Sequence, residues 1–180
     1  NRADNLTSEK LSGKAEELKK PVAINISFGN TYGSHDGTSL LERYLNTVSE
    51  RWKNVICVGS GNEGTTAGHA AGEYRKGMMT EVQLAVQQRE KSFSLQIWKS
   101  YVDEVAITIV DPSGNHSGRL EEKEGTQRIQ IGETELLVYY GDPKPYSIRQ
   151  EIYISFLPRN EFVTAGVWKI QMMPGQVVDK

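Results

Sequence analysis

Asn54-Val55-Ile56-Cys57-Val58-Gly59-Ser60-Gly61-Asn62-Glu63-Gly64 passes from an unbroken apolar run directly into a glycine-rich loop. An apolar run without alternation is expected of a strand covered on both faces, as in a parallel sheet. Upstream lies a second strand pattern, Pro21-Val22-Ala23-Ile24-Asn25-Ile26-Ser27-Phe28-Gly29. Period two puts Val22, Ile24, Ile26 and Phe28 on one of its faces, and Ala23, Asn25 and Ser27 on the other. Between the two strands, Ser39-Leu40-Leu41-Glu42 has the Ser-x-x-Glu spacing of a capping box, in which each side chain accepts from the other residue's backbone N–H. The helix it opens runs through Tyr44, Leu45 and Val48 to the neighbourhood of Trp52. Strand, helix and strand at these lengths predict a βαβ unit with parallel strands and a right-handed crossover. A further helix is expected over 6–20, carrying Leu6, Leu11, Ala15 and Leu18 and stopped by Pro21.

Downstream of Gly77 the period changes to two. Val82/Leu84/Val86, Phe93/Leu95/Ile97, Val105/Ile107/Ile109, Leu136/Val138/Tyr140, Ile152/Ile154/Phe156 and Trp168/Ile170/Met172 each alternate with other residues. Turn signals separate them, among them Asp111-Pro112-Ser113-Gly114, Gly132-Glu133 and Gly141-Asp142-Pro143. The expected fold class is therefore α/β, a partial parallel sheet, over 1–77, followed by an all-β antiparallel sandwich or jelly roll over 78–180. The Gly/Ala-rich stretch 65–77 reads as the connection.

Composition narrows the function. The 180 residues carry 21 Lys+Arg against 23 Asp+Glu, a formal charge of −2. That balance supplies no basic field for nucleic acid or for an anionic membrane surface, and no apolar run is long enough to span a bilayer. One cysteine excludes an internal disulfide framework and any multi-thiolate metal site. The chain starts without Met and stops just after a strand pattern, so it reads as a piece of a longer protein. A βαβ piece exposes strand edges, and self-association through them is expected.

The chemistry concentrates at Gly59-Ser60-Gly61-Asn62. Ligands in open α/β sheets gather beyond the carboxyl ends of the strands. Glycines there admit close approach of a substrate, and an amide N–H held among them suits an oxyanion hole. The same residues also fit a plain glycine turn with Asn62 as a left-handed residue, and taken alone they favour that turn.

Asn25-Ile26-Ser27-Phe28-Gly29, followed by Gly59-Ser60-Gly61-Asn62-Glu63-Gly64, resembles the middle of a subtilisin-like serine peptidase. Gly33-Ser34-His35-Asp36-Gly37-Thr38-Ser39-Leu40-Leu41-Glu42 is similar to the corresponding loop of clostridial subtilases, the germination proteases of spores among them. Val110-Asp111-Pro112-Ser113-Gly114 resembles a turn in the jelly roll inserted in those proteins. The resemblance implies peptide-bond hydrolysis by a parent protein, on a peptide or protein substrate, with no cofactor. It assigns Asn62 as the side-chain oxyanion donor. Ser27, Phe28 and Gly29 would pair with the substrate backbone, and Gly59, Ser60 and Gly61 would wall the pocket before the scissile bond. An extracellular or spore-associated setting follows from the same resemblance.

The triad motifs of that family, D-[ST]-G, H-G-T and G-T-S-x-A, do not occur in this sequence. The resemblance puts two of them upstream and the third downstream, so the chain alone is expected to be inactive. Gly37-Thr38-Ser39 and His35-Asp36-Gly37 only imitate them, Ser39 being a helix cap. A pseudopeptidase, or a sandwich that binds protein or glycan, remains the alternative, with Trp98, Tyr101 and Tyr146 as the aromatic platform. Cys57 is expected as a small buried hydrophobe. His35, His69 and His116 have no spacing that would bring two onto one metal, and no metal site is expected. His69, soon after Asn62, is read as a loop residue in solvent or near the cleft. Asp111, Ser113 and Asn115 match a calcium loop only in part, and a hairpin turn is expected there instead.

Overall fold

The computed structural model describes residues 2–27, 31–62, 64–145 and 147–178. It divides into two compact units, Asn1–His69 and Ala70–Lys180. The first is α/β and the second all-β.

In the first unit, α1 (Arg2–Glu17) precedes β1 (Val22–Ile26), α2 (Leu40–Ser49) and β2 (Asn54–Val58). The helix α1 stops short of Pro21. Lys20 N–H donates to the Ala15 carbonyl at 2.9 Å and Lys19 takes a left-handed φ of 54°, which together make a Schellman-type end. Among its described side chains Ser8, Ser12 and Ala15 are buried, while Leu11 and Leu18 are 45% and 55% exposed. Small side chains along that stripe allow close packing against α2 and β1. The tyrosine hydroxyl of Tyr44 donates to Glu9 at 3.1 Å, reinforcing the contact between the helices.

The capping box of α2 is formed. Glu42 N–H donates to Ser39 Oγ at 3.3 Å and Ser39 N–H to Glu42 Oε2 at 3.0 Å. β1 and β2 pair in parallel, from Val22 opposite Asn54 to Ile26 opposite Val58. Ile24 is buried and Val22 and Ile26 are half-buried, whereas Ala23, Asn25 and Ser27 are exposed.

The second strand departs from expectation. Val55, Cys57 and Val58 are exposed, and only Asn54 and Ile56 are partly covered. Val55 and Cys57 share one face of β2, opposite the partly covered Asn54 and Ile56, and Val58 is exposed at the strand's end. Cys57 is correspondingly an exposed free thiol, not a buried hydrophobe.

Among the described residues the second unit has seven strands: β3 (Thr80–Val86), β4 (Phe93–Ser100), β5 (Val105–Val110), β6 (Gln127–Ile131), β7 (Thr134–Tyr140), β8 (Arg149–Pro158) and β9 (Gly166–Pro174). They form antiparallel sheets ordered β3-β9-β5 and β4-β8-β7-β6. Pairing of β3 with β9 and of β4 with β8 joins the ends of the unit, while β6-β7-β8 is a simple meander. The strand β6 has only Ile129 and Ile131 between polar residues and escapes the sequence pattern.

Both sheets contribute to one core that includes Ile107, Ile109, Leu136, Val138, Ile152, Ile154, Phe156, Trp168 and Ile170. Phe156 stacks on Phe93 at 4.5 Å and meets the edge of Trp168 at 5.3 Å, linking one sheet to the other through favoured aromatic geometries. Trp168 is fully buried, and its Nε1 donates to the Thr164 carbonyl at 2.8 Å. The tyrosine hydroxyl of Tyr140 is likewise satisfied by the carbonyls of Val105 and Leu120.

Candidate active site

The carboxyl ends of β1 and β2 bring the two motif segments together. Gly59 N–H donates to the Ile26 carbonyl at 2.9 Å, one step past the last paired residues of the sheet. A Cβ on Gly59 would lie 3.7 Å from that carbonyl oxygen and 3.8 Å from Ser27 Cα, which is ordinary contact. Gly61 differs, because its φ of 91° is a conformation that L side chains rarely adopt. The chain turns there and presents Asn62 at the surface.

Ser27, Gly59, Ser60, Gly61 and Asn62 are all exposed. Asn25 Nδ2 donates to Ser27 Oγ at 2.6 Å, so the two polar side chains on the open face of the β1 end orient one another. Phe28 and Gly29 lie outside the described residues, as does Glu63. The arrangement is a pair of strand ends with an exposed amide beside them and a serine on the neighbouring segment. It can donate a hydrogen bond to a carbonyl oxygen brought up to the sheet.

The loop after β1 is organised by Asp36. Its Oδ1 accepts from Ser34 Oγ at 2.6 Å, from Thr38 N–H at 3.0 Å and from Thr38 Oγ1 at 2.6 Å. Such a turn satisfies backbone donors that strand and helix leave open. His35, inside this loop, takes a left-handed φ of 54°. Its ring centroid lies 6.2 Å from that of His69, with the rings tilted by 30°. Sequence spacing carried no sign of this pairing, because the two residues follow different strands of the sheet.

In the β unit, Asp111 forms the expected turn, accepting from Ser113 N–H at 2.9 Å and from Asn115 N–H at 2.8 Å. Asn115 Nδ2 donates to its second oxygen. Both carboxylate oxygens are thus engaged by donors. Among the described residues no group of three or more His, Cys, Asp or Glu side chains is placed to hold a metal ion. Of the aromatic platform, Trp98 is half-buried and its ring faces Lys144 Nζ at 5.8 Å. Tyr101 is at the margin of exposure, and Tyr146 lies outside the described residues.

The chain is similar to a clostridial protease. Against the solved structure of the Clostridium perfringens CspB protease it superposes with a TM-score of 0.85 at 32% sequence identity, over 96% of this chain. The chain spans 38% of that protein's length. No protein-family model and no curated protein matches it. The likeness supports the subtilase-like relation read from the sequence and makes this a protease-related fold. It extends across both units, so the β sandwich belongs to the similarity as much as the α/β segment does.

Proposed function

We propose that this chain is an internal part of a subtilisin-like serine endopeptidase, in which Asn62 is the side-chain donor of the oxyanion hole. The observation that carries the reading is the 32% identity to the Clostridium perfringens CspB protease over 96% of the chain. The juxtaposition of Gly59 with Ile26 and Ser27 supports it. A serine outside this chain attacks the scissile carbonyl, the oxygen gathers negative charge, and Asn62 Nδ2 with a backbone N–H stabilises it until the amine departs. Ser27, Phe28 and Gly29 hold the peptide as an added strand, and Gly59, Ser60 and Gly61 line the adjoining pocket. The sandwich is an inserted domain of the same protein.

The test is made in the parent protein. Asn62→Ala is expected to lower kcat by about 10²–10³ with little change in KM, the magnitude known for subtilisin itself. Asn62→Asp is expected to be at least as damaging, since a carboxylate repels the developing oxyanion. A kcat unchanged by both substitutions overturns the role of Asn62. A parent that lacks the Asp, His or Ser of the triad is a pseudopeptidase, and hydrolysis by the 180-residue chain alone would overturn the proposal that the nucleophile lies elsewhere.

A further inference from the structure

His35 and His69 stand outside the machinery just proposed, yet they are brought together from two different loops. A ring nitrogen lies about 1.1 Å from its ring's centre and a zinc–imidazole bond is about 2.0–2.1 Å long, so two imidazoles sharing an ion have centroids at most about 6.4 Å apart. The observed 6.2 Å lies close to that limit, which is reached only with the two nitrogens opposite one another across the ion. Both side chains are exposed, and rotation of the His69 side chain closes the pair toward the roughly 5 Å of tetrahedral coordination.

The second observation is a hydrogen bond made by the His35 ring. His35 Nε2 lies 3.2 Å from the Thr31 carbonyl oxygen. A carbonyl only accepts, so Nε2 carries the proton and the lone pair is left on Nδ1. Metal-bound histidines characteristically donate their other ring N–H to a carbonyl or carboxylate in this way, which fixes the tautomer and the ring orientation.

We propose that His35 and His69 form a two-imidazole binding site for a divalent transition-metal ion of the zinc class, with His35 ligating through Nδ1. Imidazole nitrogen suits zinc, copper and nickel, whereas calcium and magnesium require oxygen ligands. With two protein ligands, water completes the coordination sphere. The bound ion clamps the loop that follows β1 to the segment that follows Asn62. The site is independent of the proposed peptidase role, because it needs neither the triad nor a substrate.

Calorimetric titration of Zn²⁺ into the full 180-residue chain tests it. One saturable ion per chain is expected, with H35A and H69A each weakening affinity at least about tenfold. H116A and C57S, which alter the remaining histidine and the thiol, are expected to leave affinity unchanged. Nitrogen NMR is expected to show His35 Nδ1 metal-bound while Nε2 stays protonated. Both histidine variants are on exposed loop positions, and their circular dichroism is expected to match the parent chain. Absence of saturable binding, binding untouched by H35A and H69A, or binding abolished by C57S or H116A overturns the site.

Discussion

The tyrosine hydroxyl of Tyr74 donates to Asp103 Oδ2 at 2.7 Å, while Asp103 Oδ1 accepts from Val178 N–H at 2.6 Å. One buried carboxylate thus ties the segment entering the β unit to the segment leaving it. Gly77 N–H to the Pro174 carbonyl and Glu104 N–H to the Gln176 carbonyl run alongside. Lys99, itself buried, closes the cluster by donating to the carbonyls of Ser100 and Asp103. Burial holds its amine below the usual lysine range, against the pull of Glu122, Asp103 and Glu104.

Asp103→Ala removes both acceptors at once from two part-buried donors. A loss of about 1–3 kcal/mol in unfolding free energy is expected, against about 1 kcal/mol for Tyr74→Phe. Urea unfolding followed by tryptophan fluorescence measures both, and amide exchange at Val178 is expected to accelerate in Asp103→Ala alone.

The same contact sets an alkaline limit. Burial first, and then the hydrogen bond to Asp103, raise Tyr74 above its ordinary value of 10.0. Burial and the charges of Glu122 and Glu121 raise Tyr140 similarly. The folded state therefore keeps protons that the unfolded state releases above pH 10. The contribution is fully present below pH 10 and lost as pH rises through the folded values. Stability measured above pH 10 is expected to fall, with a shallower decline in Tyr74→Phe; equal slopes would count against the assignment.

Gly166 takes a φ of 128°, and a Cβ built there would sit 2.8 Å from Pro112 Cβ. Gly166→Ala combines backbone strain with a clash against a rigid ring, and a cost of about 2–4 kcal/mol is expected. The thermal midpoint of the β unit reports it. Pro112→Gly in the same background removes both atoms that the new Cβ meets, and is expected to return the clash part but not the backbone strain.

Ser39→Ala removes the acceptor that Glu42 N–H uses at the start of α2. About 1 kcal/mol is expected to be lost, and Ser39→Asp is expected to restore most of it. Helical circular dichroism through a urea titration is the measurement.

Val55 and Val58 are 61% and 56% exposed on a two-stranded sheet. Pairing between chains through these strands is expected to produce dimers or larger species at high concentration. Light scattering is expected to register them, and Val55→Asp is expected to disperse them; a clean monomer at high concentration would refute the edge pairing.

The succession of α/β and all-β segments, the capping box at Ser39 and Glu42, the Asp111 turn and the burial of Trp168 were all determined by the sequence itself. Each depends on periodicity or on a hydrogen bond between residues a few positions apart. What covers an apolar run is not local. Val55 and Cys57 read as buried, yet they share the face of β2 that is open to solvent. The α1 stripe of Ser8, Ser12 and Ala15 was likewise invisible, because close packing chose small side chains over Leu11 and Leu18. At the candidate site the motif residues were legible as types in order, but their meeting was not. Only the parallel register, set by hydrogen bonds between distant strands, places Gly59 against Ile26. The same register brings the loops bearing His35 and His69 side by side.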